Sequence, residues 1–96
     1  MNNPAPPATQ CVVIQNPTGL HARPAVKVSK LAKTFAADVQ LSVSNGETWV
    51  NAKSTHAVMK LKAVTGTLLM IRAEGADADS AVAGIAALVR RDFHGA

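Results

Sequence analysis

The stretch DVQLSVSNGETWVNA, residues 38–52, decides the fold. Apolar and polar residues alternate strictly over residues 38–44, which is typical of a strand that covers a core on one face only. Asn45-Gly46 follows and favours the positive φ angles of a two-residue hairpin turn. Residues 47–52 are then predicted to return as the neighbouring strand. The middle of the chain therefore predicts an antiparallel hairpin with one polar face.

Three helices and two further strands are predicted around this hairpin. Pro24 places the start of the first helix at about residues 21–23, because proline is tolerated in a first turn and not in a helix interior. Apolar residues at helical spacing and short β-branched runs supply the other elements. The helices are predicted at about 22–35, 54–64 and 77–91, and the two strands at 11–15 and 67–74. The order β-α-β-β-α-β-α, with one polar sheet face, predicts a two-layer open sandwich of the α+β class.

Length and composition predict a single globular domain. The chain has 96 residues, of which 48% are hydrophobic and 17% are charged. Residues 1–10, MNNPAPPATQ, contain three prolines and no apolar block, so we expect a flexible tail there and the domain at residues 11–94. No apolar run approaches the ~20 residues that cross a bilayer. We therefore expect a cytoplasmic protein with no membrane contact; the lone Cys11 fits a reducing compartment.

The net charge of the chain indicates an anionic partner. Ten basic and six acidic residues give +4 at pH 7, which suits nucleic acid, phosphate groups or an acidic protein. A nucleic-acid platform would need clustered basic residues interleaved with aromatic side chains. Here the basic residues are scattered and the aromatic ones are Phe35, Trp49 and Phe93 alone. We therefore expect no nucleic-acid binding.

A histidine stands where a loop becomes a helix, in the motif Gly19-Leu20-His21-Ala22-Arg23-Pro24-Ala25. The unpaired first-turn N–H groups and the positive end of the helix dipole favour an anion at that place. A phosphoryl group on His21 would accept hydrogen bonds from these amides, and Arg23 would add a charge-assisted contact. The plain alternative is that His21 only caps the helix and that Arg23 is an ordinary surface residue.

This motif closely resembles the active-site signature of the HPr family, the histidine-containing phosphocarriers of the bacterial phosphotransferase system. Further segments resemble family landmarks in the same order, so the resemblance covers about residues 11–94. They are Asn45-Gly46, Ala52-Lys53-Ser54, Gly66-Thr67 and Ala73-Glu74-Gly75. The resemblance implies a four-stranded antiparallel sheet in the order 1-4-2-3, with three helices on one face.

The resemblance also implies a phosphoryl relay and not an enzyme. Enzyme I, charged from phosphoenolpyruvate, would phosphorylate Nδ1 of His21, and Arg23 would steady the group. An EIIA-type protein would then receive it. No metal or organic cofactor is implied at His21, since the phosphoryl group is derived from phosphoenolpyruvate through Enzyme I.

The segment from Ser54 to Leu61 resembles the stretch around the regulatory serine of HPr in organisms that have an HPr kinase/phosphorylase. The plain alternative is that Ser54 is only the N-cap of a helix. Family members that serve sugar transport, the sugar branch, usually present apolar residues just after this serine, whereas this chain has Thr55 and His56. We interpret His56 as a surface residue. The residues implied in partner docking are Leu20, Pro24, Thr55, His56 and Met59.

Three functions follow from these patterns. The leading prediction is a carrier of the sugar phosphotransferase system. The polar Thr55-His56 pair keeps a carrier of the nitrogen-regulatory branch open, and a mainly regulatory protein-binding module is a third possibility. Strand alternation predicts Cys11, Val13, Trp49 and Met70 on the open sheet face. We expect a monomer, with weak self-association through that face as the alternative.

Overall fold

The computed structural model describes residues 7–43 and 48–94 of the chain. The strands are β1 (Ala8–Val13), β2 (Asp38–Val43), β3 (Val50–Asn51) and β4 (Leu68–Glu74). The helices are α1 (Ala22–Ala32), α2 (Thr55–Lys60) and α3 (Ala78–Arg90). The predicted element order is confirmed.

The four strands form one antiparallel sheet in the order β1-β4-β2-β3. This is the order that the family resemblance implies. The last strand of the sequence, β4, lies between β1 and β2, and α3 packs against β1 and β4. Helix α1 contacts both α2 and α3, so the helices form the second layer of an open-faced α+β sandwich.

The core lies between the sheet and the helices. Strand residues predicted to face the helices are buried, and they pack against the apolar faces of α1 and α3. They are Val12, Ile14, Ala52, Leu69 and Ile71, with Val50 partly buried. Burying a side chain of this kind contributes about 1.5–3 kcal/mol, so this alternation fixes which face of the sheet carries the helices.

The opposite face of the sheet is open, as the alternation predicts. Cys11 and Val13 are exposed there, and Trp49 and Met70 are half-buried. The guanidinium of Arg72 lies 4.1 Å from the centroid of the Trp49 ring, in a cation–π contact. This contact covers part of the apolar surface that the sequence pattern assigns to the open face.

Several element boundaries differ from the sequence prediction, among them the end of α1, which lies at Ala32 and not at residue 35. Strand β1 begins at Ala8, so residues 8–10 belong to the sheet and not to a tail, because the exposed edge of β4 pairs with them up to the register Ala8↔Ala73. Helix α2 ends at Lys60, since Lys62 adopts a left-handed φ of 51° that cannot continue a helix. Strand β3 is described only at Val50–Asn51.

The predicted turn at Asn45-Gly46 and residues 1–6 of the predicted tail lie outside the described residues. Within residues 7–43 and 48–94, no helix has both the length and the apolar character needed to cross a membrane.

Candidate functional site

The loop before α1 is closed by the buried side chain of Asn16. Its Nδ2 donates to the carbonyl oxygen of Gly19 at 2.8 Å and to Oγ1 of Thr18 at 3.2 Å. The backbone carbonyl oxygen of Asn16 accepts from the Gly19 amide at 3.2 Å and from Oγ1 of Thr65 at 2.7 Å. The turn is therefore bonded to itself and to the loop that precedes β4.

Gly19 brings this loop into close contact with the segment that follows α2. Its φ is +65°, and a Cβ at this position would collide with the carbonyl oxygen of Ala63. The amide of Leu20 donates to that same oxygen at 2.8 Å, and the Leu20 side chain is buried. The backbone just before His21 is thus fixed by a hydrogen bond that only a glycine at position 19 allows without displacement.

His21 is the N-cap residue of α1, and its imidazole is exposed. The backbone is extended there, and the side chain makes no capping hydrogen bond to the helix. The carbonyl oxygen of His21 accepts from the Ala25 amide at 2.9 Å, which is the first bond of the helix. Helix geometry leaves the amides of Ala22 and Arg23 without an intrahelical acceptor, and Pro24 has no N–H to leave unpaired. The imidazole therefore stands beside free amide donors and is itself unengaged in the cap.

His21 and Arg23 line one surface depression, as the motif predicts. The same depression is lined by Lys27, one turn further along α1, and by the residues that follow α3. The full lining is Asn16, Pro17, Thr18, His21, Arg23, Pro24, Lys27, Asp92, Phe93 and His94. Arg23 and Lys27 are cationic and Asp92 is anionic, so the side chains of α1 supply a local excess of positive charge that suits an anion.

The sequence reasoning missed Lys27 and the C-terminal turn. Nζ of Lys27 donates to the carbonyl oxygen of Phe93 at 2.7 Å, a contact between residues 66 apart in the chain. The only local signal is that Arg23 and Lys27 are spaced by four, which places them on one helix face. Nothing in the sequence indicates that the end of the chain meets that face.

A second depression also borders His21. Leu20, Met59 and Val64 line it together with His21, and Lys62 stands at its edge. Met59 is 40% exposed and Val64 is 65% exposed. Met59, predicted as a docking residue, therefore shares a surface with His21, and Val64 adds an apolar side chain that the motif did not single out.

The other four residues predicted to dock a partner lie at different depths in the structure. Leu20 and Pro24 are buried, so they form the floor of the two depressions and offer little surface to a partner. Thr55 is half-buried, and its Oγ1 lies 2.6 Å from Oγ of Ser29, which ties α2 to α1. His56 is exposed but lines neither depression beside His21. A sequence motif gives the identity of these residues but not their depth.

Ser54 is the N-cap of α2, as predicted. Its Oγ accepts from the Ala57 amide at 3.2 Å, and its side chain is partly exposed. Ser54 lines neither of the two depressions, so it stands apart from His21.

Among the described side chains, no group of three or more histidine, cysteine, aspartate or glutamate residues is arranged to share a metal ion.

Comparison with known proteins assigns the chain. The family model described as "PTS HPr component phosphorylation site" matches residues 8–91. The chain belongs to the HPr family. It is 42% identical over 78 residues to the phosphocarrier protein HPr of Vibrio cholerae, covering 81% of this chain and 89% of that protein. It is also 37% identical over 82 residues to the phosphocarrier protein NPr of Shewanella violacea, covering 85% and 88%.

Solved structures agree with this assignment. An HPr crystal structure from Thermoanaerobacter tengcongensis matches with a TM-score of 0.82 and 31% identity, over 90% of this chain and 94% of that one. The chain is also 35% identical over 81 residues to the phosphoryl donor subunit DhaM of a dihydroxyacetone kinase from Providencia stuartii. The match covers 84% of this chain but only 17% of DhaM. The protein is therefore an HPr-like phosphocarrier of the phosphotransferase system. Members of this family carry phosphoryl groups and are not themselves enzymes.

Proposed function

We propose that this protein carries a phosphoryl group on His21 from Enzyme I to an EIIA-type protein of the phosphoenolpyruvate-dependent sugar phosphotransferase system, in the cytoplasm. One observation carries the proposal. The exposed His21 imidazole stands at the N-cap of α1, in a depression that it shares with Arg23 and Lys27. An imidazole in this place is free to attack, and the positive charge around it suits the group it would receive.

The transfer needs no group beyond these residues and the two partners. The lone pair of Nδ1 of the neutral His21 imidazole forms a bond to phosphorus, while the bond between phosphorus and Enzyme I breaks and its electron pair leaves with the donor. The reverse displacement delivers the group to the EIIA-type protein. Phosphoryl transfer asks mainly for alignment and charge compensation, which the amides of Ala22 and Arg23 and the Arg23 guanidinium supply. We propose no metal or organic cofactor at His21.

The surface beside His21 supports the sugar branch. Met59 and Val64 present apolar side chains in the depression next to the imidazole, where a docked Enzyme I would cover them. The nitrogen-regulatory branch is the second candidate, since NPr of Shewanella violacea is 37% identical and the exposed His56 follows the Ser54 position. Each branch has its own Enzyme I, so the donor that phosphorylates the chain distinguishes them.

The test is incubation of the full chain with phosphoenolpyruvate and Enzyme I of each branch, followed by intact mass measurement. We expect a gain of one acid-labile phosphate with the sugar-branch Enzyme I and none in His21→Ala. His56→Ala is the matched control, because this second imidazole is exposed but lies outside both depressions, and it should take up phosphate as the wild type does. No gain with either Enzyme I contradicts the carrier role.

We also propose that Ser54 accepts a regulatory phosphate from an HPr kinase/phosphorylase. A phosphate at a helix N-cap retains an oxygen acceptor for the Ala57 amide and adds negative charge that would repel an acidic partner. Incubation with the kinase should add one acid-stable phosphate to the wild type and none to Ser54→Ala. Absence of phosphate on Ser54 in the wild type rejects the regulatory proposal and leaves the cap alone.

A further inference from the structure

The turn that follows α3 is built to hold an unusual backbone. Asp92 and Phe93 both have left-handed φ angles, 54° and 64°, although neither is glycine. The Phe93 side chain is buried, and its amide donates to the carbonyl oxygen of Leu88 at 2.8 Å. Two adjacent non-glycine residues in this region persist only where the surroundings determine them, and such strain concentrates at functional sites.

Two cationic side chains bond to the backbone of the turn, Lys27 from α1 and Arg91 from the turn itself. Nζ of Lys27, on α1, donates to the carbonyl oxygen of Phe93 at 2.7 Å. Nε of Arg91 donates to the carbonyl oxygen of His94 at 2.6 Å. The carbonyl oxygens of two successive residues, Phe93 and His94, are therefore both bonded, and His94 lines the depression that contains His21 and Arg23.

His94 brings to this depression a donor that suits a phosphoryl group. A neutral imidazole always carries one N–H, so His94 has a hydrogen-bond donor without any change in its protonation. The oxygens of a phosphoryl group on His21 are strong acceptors, and Arg23 already supplies charge on the α1 side. Asp92, on the same turn, is the one carboxylate of the described lining and would repel an anion. The attraction from His94 and Arg23 must therefore exceed the repulsion from Asp92.

We propose that His94 is a second phosphoryl-contacting residue of this carrier, and that Lys27 is the positioning residue that holds it there. When His21 carries the phosphoryl group, the His94 ring N–H donates a hydrogen bond to one of its oxygens. The C-terminal turn thereby stabilises the phosphorylated form of the protein relative to the free form. The inference rests on the proposed function of His21 and adds a residue to that same site.

The experiment measures the equilibrium of phosphoryl transfer between Enzyme I and the full-length chain. We expect His94→Ala to lower the equilibrium fraction phosphorylated, with a transfer constant about three- to tenfold smaller, which is the effect of one lost hydrogen bond. His94→Gln keeps an N–H donor and should recover part of this loss. Lys27→Met should act in the same direction, because it releases the turn and also removes a positive charge from the depression.

A second readout separates contact from structure. The ring nitrogens of His94 should shift in ¹⁵N NMR when His21 of the wild type is phosphorylated, whereas those of the exposed His56 should not. His94 is exposed, so His94→Ala should unfold at the same urea concentration as the wild type. His56→Ala serves as the matched imidazole deletion and should leave the transfer constant unchanged.

The outcomes separate the inference from the function on which it rests. If the wild type takes up phosphate on His21 but His94→Ala has the wild-type transfer constant, the inference is overturned and the carrier function stands. An unmoved His94 spectrum on phosphorylation overturns it in the same way. If the wild type takes up no phosphate, the carrier function and this inference both fail.

Discussion

Gly19 determines the backbone shape of the loop before His21 but supplies no chemical group to the site. An alanine at this position would need both a left-handed φ and room that the carbonyl oxygen of Ala63 occupies. We expect Gly19→Ala to lose about 1–3 kcal/mol of unfolding free energy from the collision, in addition to the cost of the φ angle. Phosphate uptake by His21 should slow as well, because the Leu20–Ala63 hydrogen bond that sets the helix start is displaced.

Gly66 provides the control for this prediction. It also has a positive φ, +89°, but a Cβ there would meet nothing within 4 Å. Gly66→Ala therefore carries the backbone cost alone and should keep the wild-type rate of phosphate uptake. Urea unfolding of the two variants measures the difference, and equal losses of stability would show that the Ala63 carbonyl moves aside freely.

Residues of the site that lie within one motif were predictable, and residues brought in by the fold were not. His21 and Arg23 stand two positions apart at the start of one helix, so the motif itself brings them to the same helix end, where both line one depression. Lys27 meets Phe93 across 66 positions, and that contact depends on the packing of α3 against α1 and the sheet. The burial of Leu20 is of the same kind, since it depends on the segment after α2.

The start of α3 and the turn after α1 are joined by one carboxylate. Oδ2 of Asp77 accepts from the Ala36 amide at 2.9 Å, and Oδ1 accepts from the Ala37 amide at 2.8 Å. These two bonds, that of Ala36 first, lower the pKa of Asp77 below 3.8, with a smaller contribution from the charge of Lys53. Both bonds favour the ionised form, so the link between the two elements depends on pH.

The direction of that dependence follows from the lowered pKa. Because the folded pKa lies below the unfolded one, Asp77 stabilises the fold fully above the unfolded value, and the contribution is lost as pH falls through the folded value. We expect Asp77→Asn to be less stable than the wild type at pH 7, with the difference shrinking below about pH 4. Urea unfolding from pH 7 to pH 2 measures it. Asp79→Asn, an exposed change in the first turn of α3, is the control, and a pH-independent gap for Asp77→Asn would contradict the assignment.

Element boundaries follow the same division between local and tertiary causes. The alternation of β2 and the helical stripes of α1 and α3 are local patterns, and the structure has each element there, although α1 ends at Ala32, three residues earlier than its stripe predicts. The start of β1 is not local, because residues 8–10 join the sheet only where β4 offers them an edge. Proline-rich composition nearby indicates a tail, and backbone pairing with β4 overrides that signal.

Under the proposed function, partner choice depends on the whole surface around His21, which combines an apolar patch with a positive field. Met59 and Val64 form the patch, and the chain carries a net charge of +4. Apolar contact gives affinity after docking, whereas the field acts before contact by steering an acidic partner toward the site. Salt ions screen the electrostatic steering but not the apolar contact, so the two contributions respond differently to ionic strength.

The rate of phosphoryl transfer from Enzyme I should therefore fall with ionic strength, and Lys62 should account for part of the fall. Lys62 is exposed and lines the depression beside His21, whereas Lys33 is exposed at the C-cap of α1, about 18 Å along the helix from His21. The Debye length is about 10 Å at 0.1 M salt, so the nearer charge contributes more. We expect Lys62→Gln to lower kcat/KM for the chain as a substrate of Enzyme I several-fold at low salt, and Lys33→Gln to lower it less. High salt screens the electrostatic attraction that each substitution removes, so the rates of the variants should converge with that of the wild type at high salt. A transfer rate that does not change with salt, or equal losses for the two lysine variants, would mean that contact alone governs docking.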